Sequence, residues 1–167
     1  DWAYTATWAP NANNHPKYTP AHRYARNIIG SLNHWVSGWI DWNIVLDERG
    51  GPNHVGNFCG APIMIHRETG EVYETPIFHI LAQFSRTIRP GDRAVSVSVL
   101  APTLEDDALH VSATRNPDGL LSVQMLNTQE APITLSLEIG SQSAEVLVPA
   151  NALQTVRVRL SHPLKAV

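Results

Sequence analysis

The chain has 167 residues, 43% of them hydrophobic and 16% charged, with a formal net charge of −3. That length fits one ordinary domain or two small ones, and that balance excludes a disordered tail. No block of Lys and Arg gives the electrostatic footprint of a nucleic-acid binder, and no window approaches the ~18 apolar residues of a membrane span. The single cysteine, Cys59, excludes an internal disulfide framework and a cysteine-rich metal cluster. The first residue is Asp1 and no charged-then-apolar leader follows, so the expectation is a secretory leader absent or already removed.

All twelve Trp, Tyr and Phe residues lie at or before Phe84, and all five Trp at or before Trp42. This asymmetry predicts two units, 1–90 and 91–167, joined near Arg89-Pro90-Gly91, where Pro-Gly is a turn signal. Asp1 to Lys17 reads as a loop. Thr19-Pro20 reads as a helix start. Ala21, Tyr24, Ala25, Ile28, Leu32, Trp35 and Val36 then form an apolar stripe that Gly38 is expected to end. Residues 39–45 read as a strand buried on both faces. Asp47 to Asn53 is a turn-rich loop. Pro62–His66 and Glu71–Glu74 read as a hairpin around Glu68-Thr69-Gly70. A second helix is expected to be capped by Thr75-Pro76 and to bury Ile77, Ile80, Leu81, Phe84 and Ile88. Helix, buried strand, decorated loop and helix make a βα-type repeat, as in an α/β barrel, although one and a half such units cannot close one.

The second unit reads as all strand: 94–100, 108–114, 120–127, 133–139, 144–148 and 155–160. Turn signals such as Asn116-Pro-Asp-Gly119 separate them, which is the pattern of a β-sandwich.

The densest chemical constellation is Trp39-x-Asp41-Trp42-Asn43, followed by Gly50-Gly-Pro-Asn53 and Asn57. Flat indole faces stack on the C–H faces of sugar rings, and amides pair with hydroxyls, so the set suits a carbohydrate site. Packing of the same residues in a strand core is the bland alternative. Asp47-Glu48 reads as a solvated turn rather than an acid pair, because adjacent turn residues seldom converge. Glu105-Asp106-Asp107 reads as a solvated loop. The eight His are scattered and none is expected to hold a metal. Cys59 has no base beside it in sequence and is read as inert.

The run from Val36 through Trp39, Asp41, Trp42, Asn43 and Gly50-Gly-Pro-Asn53 to Phe58 closely resembles the C-terminal part of glycoside hydrolase family 30. The likeness continues through Ala61-Pro-Ile-Met-Ile65 and Thr75 to Gly91. It implies the last part of a (β/α)8 TIM barrel, with strand eight at about 39–45, followed by a β-sandwich. It implies a retaining β-glycosidase whose two carboxylates stand about 5 Å apart. Both catalytic glutamates are then expected before Asp1, so no catalytic residue lies in this chain, and the chain alone is expected to be inactive. By the same resemblance Trp42 and Asn57 contact substrate, and Trp8 and Tyr4 line the cleft mouth. Asp41 is a structural hydrogen-bond partner beside the site, with Asn43 near it. No cofactor and no metal is implied. The implied partners are a β-glycoside (glucoside, glucan or glycolipid) and the remainder of the barrel, or a second chain, covering exposed apolar surface. The implied location is extracellular, periplasmic or lysosomal. The alternative is a non-catalytic carbohydrate-binding or structural β-sandwich module, which has no use for the helix–strand–loop–helix at 19–90.

Overall fold

The computed structural model describes residues 19–56, 59–100, 104–105 and 107–159. Two helices and nine strands follow in chain order among them: α1 (Thr19–Asn33), β1 (Val45–Asp47), β2 (Ile63–Ile65), β3 (Val72–Glu74), α2 (Pro76–Thr87), β4 (Arg93–Val95), β5 (Leu109–Arg115), β6 (Leu120–Asn127), β7 (Ile133–Ile139), β8 (Gln142–Val148) and β9 (Ala152–Arg159). The chain divides into two compact units, and the division falls inside both helices. One unit runs to Tyr24 and takes Gly38–Ala82, while the other takes Ala25–Ser37 and everything from Gln83.

In the first unit, β1 pairs in parallel with β2, and β2 pairs antiparallel with β3. Leu46, Ala61 and Met64 form its small core, with Cys59 and Tyr73 packed against it. The hairpin read from the sequence is present as β2–β3. Its turn is closed by His66 N–H to the Glu71 carbonyl at 2.9 Å and Gly70 N–H to the His66 carbonyl at 2.8 Å. Ahead of α2, the Thr75 hydroxyl donates to the carbonyls of Ala61 and Pro62, at 3.0 and 3.1 Å, tying the helix start to the strand loop.

Helix α1 ends earlier than its apolar stripe predicts. Trp35 adopts a left-handed backbone (φ 68) and its side chain is 74% exposed. Val36 N–H reaches the Ser31 carbonyl at 3.3 Å and Trp35 N–H the Leu32 carbonyl at 3.2 Å. This is a Schellman end, with a tryptophan in the position that glycine normally fills. The carbonyls of the last turn are satisfied there, so the helix has no reason to run on to Gly38.

The second unit holds a four-stranded sheet, β4-β5-β6-β9, and a two-stranded sheet, β7-β8. Ala113, Leu121, Val123 and Met125 of the larger sheet pack with Val146 and Val148 of the smaller, and Leu135, Leu137 and Ile139 join them. This is the sandwich read from alternation. A cleft of about 670 Å³ lies between the sheets, lined by apolar residues such as Val97, Leu109 and Leu135 and by polar ones such as Ser98, Ser136 and Glu138. The ladder of β4 is shorter than the predicted 94–100: only 93–95 pair, against β5. The opposite face of β6 is buried as well, and it is polar. Ser112 donates to Gln124 at 3.2 Å, and Gln124 reaches Thr87 of α2 at 3.4 Å. Gln83 of α2 reaches the Leu153 carbonyl at 3.1 Å and Thr155 at 2.9 Å. These bonds hold the helix end and the sheet in one register, while the Thr114 hydroxyl on the same face is buried without a hydrogen-bond partner.

Candidate functional site

The tryptophan segment 39–44 precedes the first ladder. The predicted strand 39–45 is corrected in this respect: the paired register starts at Val45, opposite Ile63, whose N–H donates to the Ile44 carbonyl at 3.1 Å. A ladder needs a neighbouring strand, and among the described residues β2 supplies one only from Val45 onward. Trp42 therefore stands ahead of β1 instead of at its end.

The segment nonetheless alternates along its length. Trp39, Asp41 and Asn43 are half-buried, whereas Ile40, Trp42 and Ile44 are exposed. Such a period of two is that of an extended chain with opposite faces. The first face meets Tyr24 of α1. The Trp39 and Tyr24 rings stand edge to face with centroids 5.8 Å apart. The Tyr24 hydroxyl donates to the Asp41 carboxylate. Burial, then that hydrogen bond and the negative charge of Asp41, push the Tyr24 phenol well above its ordinary value. The other face carries Trp42, whose side chain is 87% exposed.

Of the remaining candidates, Tyr4, Trp8 and Asn57 lie outside the described residues. Nothing in the sequence pattern pointed to Tyr24 except its place in the apolar stripe. The signal that it serves as a donor was its hydroxyl among otherwise apolar stripe residues.

The acid pair Asp47-Glu48 differs from the solvated turn expected of it. Asp47 is only 8% exposed. Its Oδ1 accepts the N–H groups of Arg49 at 2.9 Å and Gly51 at 2.8 Å. The Asp47 N–H donates to the Gly51 carbonyl at 2.7 Å, and the Gly50 N–H to the Asp47 carbonyl at 2.9 Å. Beyond the carboxylate, Arg67 Nε lies 3.4 Å from Asp47 Oδ2 and 3.2 Å from Glu48 Oε1. The Arg67 N–H donates to Glu48 Oε2 at 3.0 Å. That backbone bond first, with the guanidinium beside it, holds the Glu48 carboxyl down at about 2. Two acids adjacent in sequence thus meet one arginine from the hairpin turn, a partner no local motif could name.

The turn also fixes Gly50. Its backbone is left-handed (φ 82), and a Cβ there would run into the main-chain oxygen and nitrogen of Cys59. Cys59 N–H in turn donates to the Gly50 carbonyl at 3.1 Å. Only glycine fits so close a crossing.

Among the described residues no three His, Cys, Asp or Glu side chains gather to hold a metal. Glu105 and Asp107 are exposed, as the reading of a solvated loop expects. Asp107 pairs with Arg26 at 2.7 Å and lies 3.1 Å from His110 Nε2. No helix of the described residues is long and apolar enough to cross a membrane.

Comparison with known proteins bears directly on this arrangement. The glycosyl hydrolase family 30 TIM-barrel domain matches residues 7–88, and the family's beta sandwich domain matches residues 94–156. The putative glucosylceramidase 4 of Caenorhabditis elegans is 32% identical over 144 residues, covering 83% of this chain and 27% of that protein. The lysosomal acid glucosylceramidase of Mus musculus is 35% identical over 116 residues, 68% of this chain and 22% of that protein. The crystal structure of SrfJ from Salmonella typhimurium superposes with a TM-score of 0.81 at 27% identity, covering 88% of this chain and 32% of that one. The chain therefore spans about a quarter of the curated relatives it matches. With a partial barrel and a sandwich in the order that both domains require, it belongs to glycosyl hydrolase family 30.

Proposed function

We propose that this chain supplies one wall of the substrate cleft, together with the β-sandwich, of a retaining β-glycosidase of the glucosylceramidase type. The observation that carries the reading is the alternation at 39–44. One face is held by Tyr24 through Trp39 and Asp41, which leaves the Trp42 indole exposed on the other. A segment held from behind by a hydrogen-bonded carboxylate presents its exposed aromatic ring as a platform for a sugar ring. Asn57, Trp8 and Tyr4 complete the substrate contacts in this reading, and Asn43 flanks Asp41.

Catalysis by retention needs an acid/base and a nucleophile about 5 Å apart. Asp41 serves Tyr24, and Asp47 and Glu48 serve Arg67 and the turn, so the three acids of this region have other work. The two glutamates are supplied by the rest of the enzyme. In this reading that remainder packs against Ile40 and Ile44, which flank Trp42 on the same exposed face, and against Val45, and leaves the Trp42 indole to the cleft. A glucoside, glucan or glycolipid is the substrate class, and an extracellular, periplasmic or lysosomal setting fits relatives such as the lysosomal enzyme of mouse.

The test is hydrolysis of an aryl β-glucoside, with the anomer of the released sugar followed by proton NMR. The full-length protein carrying this chain is expected to release the β-anomer first, and the 167-residue chain to release nothing. Turnover by the isolated chain that disappears in Asp41→Asn, Asp47→Asn or Glu48→Gln would overturn the reading.

A further inference from the structure

The exposed stretch Pro52–Gly56 follows the C-terminal end of β1, and every one of its residues faces solvent. In folds built on parallel strands, ligand-facing loops leave from this end of the strand. What holds the stretch is the opposite of exposed. Asp47, buried at the last position of β1, gathers the N–H groups of Arg49 and Gly51 on one carboxylate oxygen and faces Arg67 with the other. Gly50 receives the Cys59 N–H, so the chain enters and leaves the loop at one crossing point. Arg67 sits between β2 and β3, and through Glu48 it ties this crossing to the hairpin. A turn that needed only closing would be served by a neutral side chain, because a buried carboxylate carries a desolvation cost unless it is paired. The pairing with Arg67 gives the turn a second anchor and a fixed direction.

We propose that Asp47 and Arg67 are positioning residues for glycoside binding. Their latch holds the exposed Pro52–Gly56 stretch in the orientation that meets the substrate. The proposal rests on the glycosidase reading above. Neither side chain touches the reacting bond; both act through the loop, so their loss alters how well the glycoside binds more than how fast the bound glycoside reacts.

The experiment compares kcat, KM and Tm for wild type, Asp47→Ala, Asp47→Asn and Arg67→Ala in the full-length protein carrying this chain, with an aryl β-glucoside. The expected result is a KM raised about fivefold or more in Asp47→Ala and Arg67→Ala, with kcat within about twofold. Asp47→Asn should fall between these and wild type, because an amide oxygen still accepts from Gly51 and Arg49 but no longer attracts Arg67. A lowered Tm with KM within about twofold of wild type in both alanine variants overturns the latch and reduces it to a structural turn. If Asp47→Ala fails to fold, Arg67→Ala decides alone by the same criterion, since that side chain is 53% exposed and tolerates truncation. An inactive wild type overturns the glycosidase reading itself, an outcome distinct from an active enzyme whose KM ignores the latch.

Discussion

The Tyr24 hydroxyl donates to the Asp41 carboxylate, joining the middle of α1 to the tryptophan segment two residues after Trp39. A half-buried carboxylate without that donor loses a charge-assisted hydrogen bond worth about 1.5–3 kcal/mol. Tyr24→Phe is therefore expected to lower stability to urea by about 1–2 kcal/mol. The pH dependence follows from the same bond. The phenol is raised above its ordinary 10.0, so its contribution is whole below that pH and is lost as the pH climbs past it. Tyrosinate absorbance should show one phenol lagging behind the rest, and Tyr24→Phe should remove both the lag and part of the alkaline loss of Tm.

Glu48 titrates in the other direction. Its carboxyl is held at about 2 against an ordinary 4.5, chiefly by the Arg67 N–H. The stabilisation is whole above 4.5 and fades as the pH falls toward 2. Thermal melts across that window should show Glu48→Gln losing less Tm than wild type, with the two variants differing little in slope near neutrality.

Trp35 occupies a left-handed position that costs a side-chain-bearing residue about 1–2 kcal/mol. With the indole 74% exposed, replacing it forfeits little burial. Trp35→Gly should stabilise the chain by about 0.5–1 kcal/mol, read from urea denaturation, because α1 already ends there.

Gly50 is the converse case. Any Cβ meets the Cys59 main chain, and the backbone is already left-handed. Gly50→Ala should destabilise by about 2 kcal/mol or more, while Gly56→Ala, where the added Cβ meets nothing, should cost no more than its left-handed backbone (φ 72) demands.

Much of this molecule was legible in residue order. The starts of both helices, the β2–β3 hairpin and strands β5 to β9 follow from local signals: proline at a helix start, Gly at turns, alternation at a period of two. What was not legible depends on partners distant in sequence. Glu48 meets Arg67 across 19 positions, so the acid pair looked like a solvated turn when it was the anchor of one. The stripe through Trp35 and Val36 kept helical spacing, yet the Schellman end broke the helix one turn sooner. Residues 39–44 have strand composition and strand alternation, but composition cannot supply a neighbouring strand. The second buried face of β6 hid behind ordinary polar residues, Ser122 and Gln124, and the Gln124 amide N–H finds its partner in Thr87 of α2.

The most direct measurement is kcat/KM for Trp42→Ala beside Trp42→Phe, in the full-length protein carrying this chain, on an aryl β-glucoside. With the indole as the sugar platform, Trp42→Ala lowers kcat/KM at least about fivefold, and Trp42→Phe recovers part of it because a smaller ring still stacks. Wild-type kinetics in Trp42→Ala, with the protein folded, contradict the assignment of this exposed face to the substrate cleft.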